Sequence, residues 1–158
     1  MSWDQRFLSL AFTISTWSKD SSTKVGCVIT GAHHEVRSLG YNGMPRGVLD
    51  DVESRYVRPE KYLWFEHAER NAIYNAARMG VSLEGSTLYC ATLLLGPPCV
   101  DCTRAAIQSG VARIVCQRGS EDPQKWPERW RESMQVSLDM LREAGVAFNT
   151  IDIKDGNH

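Results

Sequence analysis

No run of apolar residues in this sequence approaches the roughly 20 needed to span a bilayer, and neither sign of charge is in excess. Lys and Arg number 18 against 19 Asp and Glu, for a formal net charge of −1. A strongly basic face for a long nucleic acid is therefore not expected. The opening Met1-Ser2-Trp3-Asp4-Gln5-Arg6 lacks a basic segment followed by a continuous apolar stretch. The expectation is a cytoplasmic protein with no leader and no membrane partner. Cysteine is sparse and odd in number, five in all at Cys27, Cys90, Cys99, Cys102 and Cys116, which speaks against a disulfide scaffold. Low-complexity segments, internal repeats and Ser/Gly linkers are absent, so the 158 residues read as one domain with a flexible polar tail from about residue 153. A chain of this length buries roughly two thirds of its unfolded surface and needs no metal merely to fold. Any metal site is then functional.

What is present alternates helical and strand-like stretches. Phe7, Leu10, Ala11, Ile14 and Trp17 recur at three and four positions, predicting a helix from Trp3 to about Trp17 that packs on a sheet. Two β-branched runs, Val25–Ile29 and Val36–Tyr41, flank Gly31 and the His33-His34 pair and read as a hairpin, with a loop following through Gly47. A second helix is expected from about Glu66 to Met79, stopped at Gly80, and a strand over Thr87–Ala91. Pro97-Pro98 then precedes a helix over Cys99–Ser109, a strand over Arg113–Cys116, a last helix from Pro127 to Gly145, and a strand over about 146–151. The class is α/β, with a mixed sheet covered by helices.

Two segments open helices: His67-Ala68-Glu69 and Pro98-Cys99-Val100-Asp101-Cys102. Helix starts expose unpaired N–H groups and the positive end of the macrodipole, which favour thiolates. With two residues between them, Cys99 and Cys102 can converge on one ion, and a histidine nitrogen can supply a third ligand, leaving a tetrahedral zinc one open position as in catalytic sites. Two thiolates cancel the charge of the ion, so bound water is acidified less and a nearby base is useful. Glu69 is close enough to act as that base without being a ligand.

H-x-E followed by P-C-x-x-C is the signature of zinc-dependent nucleobase deaminases, and the chain resembles the cytidine and deoxycytidylate deaminase superfamily from about Trp3 to Phe148. Within it, the chain most resembles the deoxycytidylate (dCMP) deaminases. The stretches that carry this are Ser18–Gly26, Gly40-Tyr41-Asn42-Gly43-Met44-Pro45 and His67–Ile73. The resemblance implies a three-layer α/β/α fold with a central mixed sheet of about five strands. It implies hydrolysis of dCMP to dUMP and ammonia, with Zn2+ on His67, Cys99 and Cys102 presenting hydroxide to C4. Glu69 would protonate N3 and then the departing amine, the Ala68 backbone would hold the base carbonyl, and Asn42 would bind the nucleotide. It further implies dCTP with Mg2+ as an effector at Gly40, Tyr41, Asn42 and Gly43, and a homo-oligomer, with a hexamer favoured. Two departures stand out. Residues 49–65 hold no His or Cys for the additional structural zinc of some phage members, and the lead-in Leu94-Leu95-Gly96-Pro97-Pro98 is longer than the family's usual approach to its first cysteine.

Other readings stand beside these. Cys99 and Cys102 could form a redox pair, or a structural zinc site with Cys90 or Cys116. Asn42 could only satisfy a turn. His33 and His34 read as solvated turn residues, Cys27 as a small buried one, and Trp126 and Trp130 as packing. For the phosphate the candidates are Lys19, Lys24, Arg46, Arg55, Arg58, Arg104 and Arg118, with Lys19, Lys24 and the adjacent Thr23 preferred. A nucleoside, a free base or a tRNA adenosine could replace dCMP as substrate, or the chain could be a silent zinc-binding subunit; the balanced charge disfavours tRNA.

Overall fold

The computed structural model describes residues 1–92, 96–119 and 123–152. Its centre is a five-stranded sheet in the order β2-β1-β3-β4-β5, formed by β1 (Val25–Thr30), β2 (Val36–Tyr41), β3 (Thr87–Thr92), β4 (Arg113–Gln117) and β5 (Ala147–Ile151). The β1–β2 hairpin is antiparallel, β1 also pairs antiparallel with β3, and β3, β4 and β5 run parallel.

The two-residue period of a strand sorts side chains into two cores. Val28, Tyr89, Ala91 and Val115 face α1 (Trp3–Ser15), where Phe7, Leu8, Ala11 and Ile14 meet them. Cys27, Ile29, Leu88, Cys90, Ile114 and Cys116 face the opposite side, against Ala68, Ala72 and Ala76 of α3 (Ala68–Met79). Because both faces are covered, the central strands are apolar throughout rather than alternating. The expected α/β architecture with helices on both faces of a mixed sheet is present.

Helix α1 begins on a capping box in which Ser2 and Gln5 satisfy each other's backbone N–H. Asp4 in its first turn accepts from the Arg113 guanidinium and the Tyr89 hydroxyl, tying the helix to β4 and β3. Helix α3 stops at Gly80 in the left-handed region, φ 67°, and α5 (Glu128–Glu143) is followed by Gly145 with φ 71°. Helix α4 (Val100–Gln108) packs between α3 and α5. The pattern did not foresee α2 (Lys61–Trp64), a single turn following a short 3-10 turn at Glu53–Tyr56. Leu94 and Leu95, and the expected tail from residue 153, lie outside the described residues. Among the described residues no helix is long and apolar enough to cross a membrane.

Candidate metal centre and its cavity

The starts of α3 and α4 are brought together over the carboxyl end of β3, and each is capped by a chemically active residue. His67 is the N-cap of α3 and Cys99 the N-cap of α4, both in extended conformation, and Cys102 lies in the first turn of α4. His67 Nδ1 stands 3.4 Å from Sγ of Cys99 and 3.4 Å from Sγ of Cys102. The three donor atoms lie within 4.8 Å of one another and are the group of this kind among the described residues. Zinc bonds of about 2.3 Å to sulfur and about 2.0–2.1 Å to nitrogen at tetrahedral angles require N···S edges of roughly 3.5 Å. The 3.4 Å edges match, and the soft sulfur and imidazole donors suit zinc. Cys90 and Cys116 lie in the core beneath and do not join this group.

The electrostatics suit a cation. The Cys102 thiol donates to Cys99 and, against the cost of burial, holds the Cys99 pKa down to about 4, with His67 assisting. The same contact and burial push Cys102 up. His67 is raised by its contact with Cys99, so imidazole and sulfur hold each other's charge.

Glu69 is buried and lines the same cavity as His67, Ala68 and Cys99. Burial raises its carboxyl pKa, and the Cys99 charge adds to that while His67 opposes it. A buried carboxyl that holds a proton more readily than usual fits a group that both takes and returns one.

Other expected site residues divide. Thr23 and Asn42 line this cavity, but Lys19 and Lys24 do not. Lys19 pairs with Asp50, and Lys24 donates to the carbonyls of Ser18 and Thr16. Asn42 Oδ1 accepts from the Val25 N–H, while Nδ2 donates to the Thr23 carbonyl and to Asp20. Both amide donors are used, and one Oδ1 lone pair remains. Tyr41, Asn42 and Gly43 line a second cavity together with Lys19 and Arg46. Gly40 is not in that lining; it lies within β2 against α3.

Trp130, read from sequence as packing, lines the first cavity, its ring edge-on to His67 at 6.3 Å and to Tyr62 at 6.0 Å. Trp126 does fit that reading, being buried. Lys61, Tyr62, Phe65 and Arg129, which also line the cavity, carried no local sequence signal.

Comparison with known proteins agrees with this geometry. The model of the cytidine and deoxycytidylate deaminase zinc-binding region matches residues 1–118. An uncharacterized deaminase encoded in the luxG 3′ region of Aliivibrio fischeri is 41% identical over 144 residues, covering 91% of this chain and 90% of that protein. The human deoxycytidylate deaminase is 32% identical over 120 residues, and the match spans 73% of this chain but 64% of the human protein, slightly under two thirds. The deoxycytidylate deaminase of phage T4 is 30% identical over 190 residues, covering 95% of this chain and 90% of its own length. In fold, the dCMP deaminase of cyanophage S-TIM5, solved with dCMP and dUMP, superimposes with a TM-score of 0.70 at 24% identity over 93% of this chain and 95% of that one. Sequence, fold and the His-Cys-Cys cluster converge, and the chain belongs to the cytidine and deoxycytidylate deaminase family.

Proposed function

We propose that the protein hydrolyses dCMP to dUMP and ammonia. The observation that carries this reading is that His67 and Cys99 of the His67, Cys99 and Cys102 cluster line the cavity that also holds the buried Glu69 carboxyl. Relatives named deoxycytidylate deaminase, the human and phage T4 proteins among them, support the choice of substrate.

Zinc bound by His67, Cys99 and Cys102 supplies Lewis acidity and lowers the pKa of water in the cavity. The chain's own groups then handle the protons. Glu69 takes one proton from water and places it on N3 as the water oxygen adds to C4. It passes the second to the exocyclic amine, and the C4–N bond breaks as the C4 carbonyl forms, releasing ammonia. The Ala68 N–H, in the first turn of α3 where amides have no helical acceptor, donates to the base carbonyl. Asn42, with one lone pair left, accepts from a sugar hydroxyl, and its amide donors hold the 20–23 turn against the cavity. Burial keeps Glu69 out of bulk water, so the proton it carries is not lost between the two transfers.

Regulation belongs to the same reading. The cavity lined by Tyr41, Asn42 and Gly43 carries Lys19 and Arg46, and Asn42 lines both cavities. That supports a dCTP effector with Mg2+ acting through Asn42; the homo-oligomer, with a hexamer favoured, is proposed on the resemblance to the dCMP deaminases alone. Light scattering and dCMP saturation curves with and without dCTP and Mg2+ test it, with a shift from sigmoidal to hyperbolic kinetics expected.

The primary test is ammonia release from zinc-quantified protein offered dCMP, CMP, deoxycytidine, cytosine, adenosine and guanine. Selective turnover of dCMP is expected. Preference for an uncharged nucleoside or base would overturn the substrate, and zinc-loaded protein with no turnover would favour a silent subunit.

A further inference from the structure

Three cations line the cavity, Arg58, Lys61 and Arg129, and they are not equivalent. Lys61 is committed inside the protein, paired with buried Asp20 and donating to Ser22 Oγ at 2.9 Å. Glu66, also in the lining, is taken by Arg70. Arg58 reaches only the Thr23 hydroxyl, at 3.4 Å, and neither Arg58 nor Arg129 has a carboxylate partner among the described residues. The cavity thus holds two uncompensated guanidinium groups.

Both flank one aromatic wall. The Arg58 guanidinium lies 5.9 Å from the Tyr62 ring, Tyr62 meets Trp130 edge-on at 6.0 Å, and Trp130 in turn meets His67. Arg129 precedes Trp130 on the first turn of α5. The wall therefore links the imidazole through two aromatic rings to the Arg58 guanidinium, and Arg129 lines the same cavity. The Trp130 Nε1–H is buried and has no hydrogen-bond partner. A buried donor left open in a cavity-lining residue marks a place that a ligand oxygen satisfies.

We infer that Arg58 and Arg129 form the subsite for the 5′-phosphate of a nucleoside monophosphate, with the Trp130 indole N–H donating to a ligand oxygen on the way in. This rests on the deaminase reading of the deeper cavity and extends it to what selects nucleotide over nucleoside. A phosphate monoester carries about −1.5 to −2 charge near neutral pH, matching two guanidinium groups. The planar fork of arginine suits its terminal oxygens. The Thr23 hydroxyl, in contact with Arg58, adds a neutral donor at the same rim. The preference for Lys19 and Lys24 drawn from sequence is replaced, because neither reaches this cavity.

The experiment measures kcat and KM for dCMP and deoxycytidine, and calorimetric binding of dUMP and deoxyuridine, in the wild type and in Arg58→Gln, Arg129→Gln, the double variant, Arg129→Lys, Trp130→Phe and Lys24→Gln. Zinc content and melting temperature check each protein. Each arginine-to-glutamine change is expected to lower the preference for dCMP over deoxycytidine by about 10- to 100-fold, mainly through KM, as loss of a charge-assisted hydrogen bond requires. Arg129→Lys recovers part of the loss, Trp130→Phe weakens dUMP binding, and Lys24→Gln leaves the preference in place. A double variant with the wild-type preference would overturn the subsite, as would collapse of the preference in Lys24→Gln. The binding arm separates the two readings. Arginine-dependent dUMP binding without any turnover would sink the deaminase reading and leave the subsite standing. Turnover of dCMP indifferent to both arginines would do the reverse.

Discussion

Gly40 of β2 lies directly against Ala72 of α3: a Cβ on Gly40 would come within 2.4 Å of the Ala72 backbone nitrogen and 2.6 Å of the Ala68 carbonyl. The contact is backbone on backbone, so no side chain can move aside to relieve it. The same residues of α3 sit within about a turn and a half of His67 and Glu69, so this close approach sets how deep the helix start rides over the sheet. Ser38, two residues earlier in β2, fixes the level by donating to the Ala72 carbonyl at 2.6 Å.

Gly40→Ala should therefore push α3 off the sheet. Overpacking of this kind costs about 1–3 kcal/mol, a fall in melting temperature of roughly 2–12 °C for a chain of this size. Zinc retention in dialysis against a weak chelator should fall with it, because the helix carries one of the three proposed ligands. Unchanged melting and zinc affinity would remove Gly40 as the spacer.

Glu69→Gln keeps the shape of the buried side chain and removes its ability to carry a proton. Zinc content and fold should be retained while kcat for dCMP drops by about 100- to 10,000-fold, the usual contribution of a general acid–base group. Cys102→Ser should instead lose the metal, since a buried hydroxyl is a poor ligand in place of thiolate. Metal analysis beside ammonia release separates the two roles, and full zinc occupancy in Cys102→Ser would dismiss that ligand.

The chemistry was legible in the sequence where it is local. His67, Glu69, Cys99 and Cys102 stand in short fixed spacings at helix starts, and the helix start itself puts them at the mouth of the sheet. The sheet was legible because β1, β3 and β4 are short apolar runs separated by helical periodicity. Gly40 was legible as part of the strand Val36–Tyr41, but its packing role was not, because that depends on a helix some 30 residues away in sequence. Helix α2 is four residues long, too short for any period to register. Arg129 looks like an ordinary charged residue on the solvent side of an amphipathic helix, and only the packing of α5 beside α4 brings it to the cavity.

Asn42→Ala tests whether that side chain is more than a turn former. It removes the acceptor of the Val25 N–H and the donors to Asp20 and the Thr23 carbonyl, which are part of the cavity wall. Leaving such groups without partners costs about 1–3 kcal/mol. Melting temperature should fall and KM for dCMP should rise together. A rise in KM with unchanged stability would instead indicate a purely ligand-directed contact, and no change in either would leave only a turn.

Asp20 and Lys61 form a buried ion pair whose side chains are 1% and 7% exposed, joining the 18–24 loop to α2 across the cavity wall. Burial alone would raise the Asp20 carboxyl pKa, but Lys61 and the Ser22 donors outweigh it and hold the value below normal. A carboxyl with a lowered folded-state pKa contributes stability that is present above its unfolded value, about 3.9, and is lost as pH falls through the folded value. Lys61→Met should cost about 3–5 kcal/mol near neutral pH by stranding the carboxylate in the core. In that variant burial prevails, the folded-state pKa of Asp20 lies above the unfolded one, and protonation relieves the penalty. Urea unfolding of both proteins from about pH 7 to about pH 3 should therefore show the stability gap narrowing as pH falls. A gap independent of pH would mean that Lys61 supports the loop by packing its alkyl chain rather than by its pairing with Asp20.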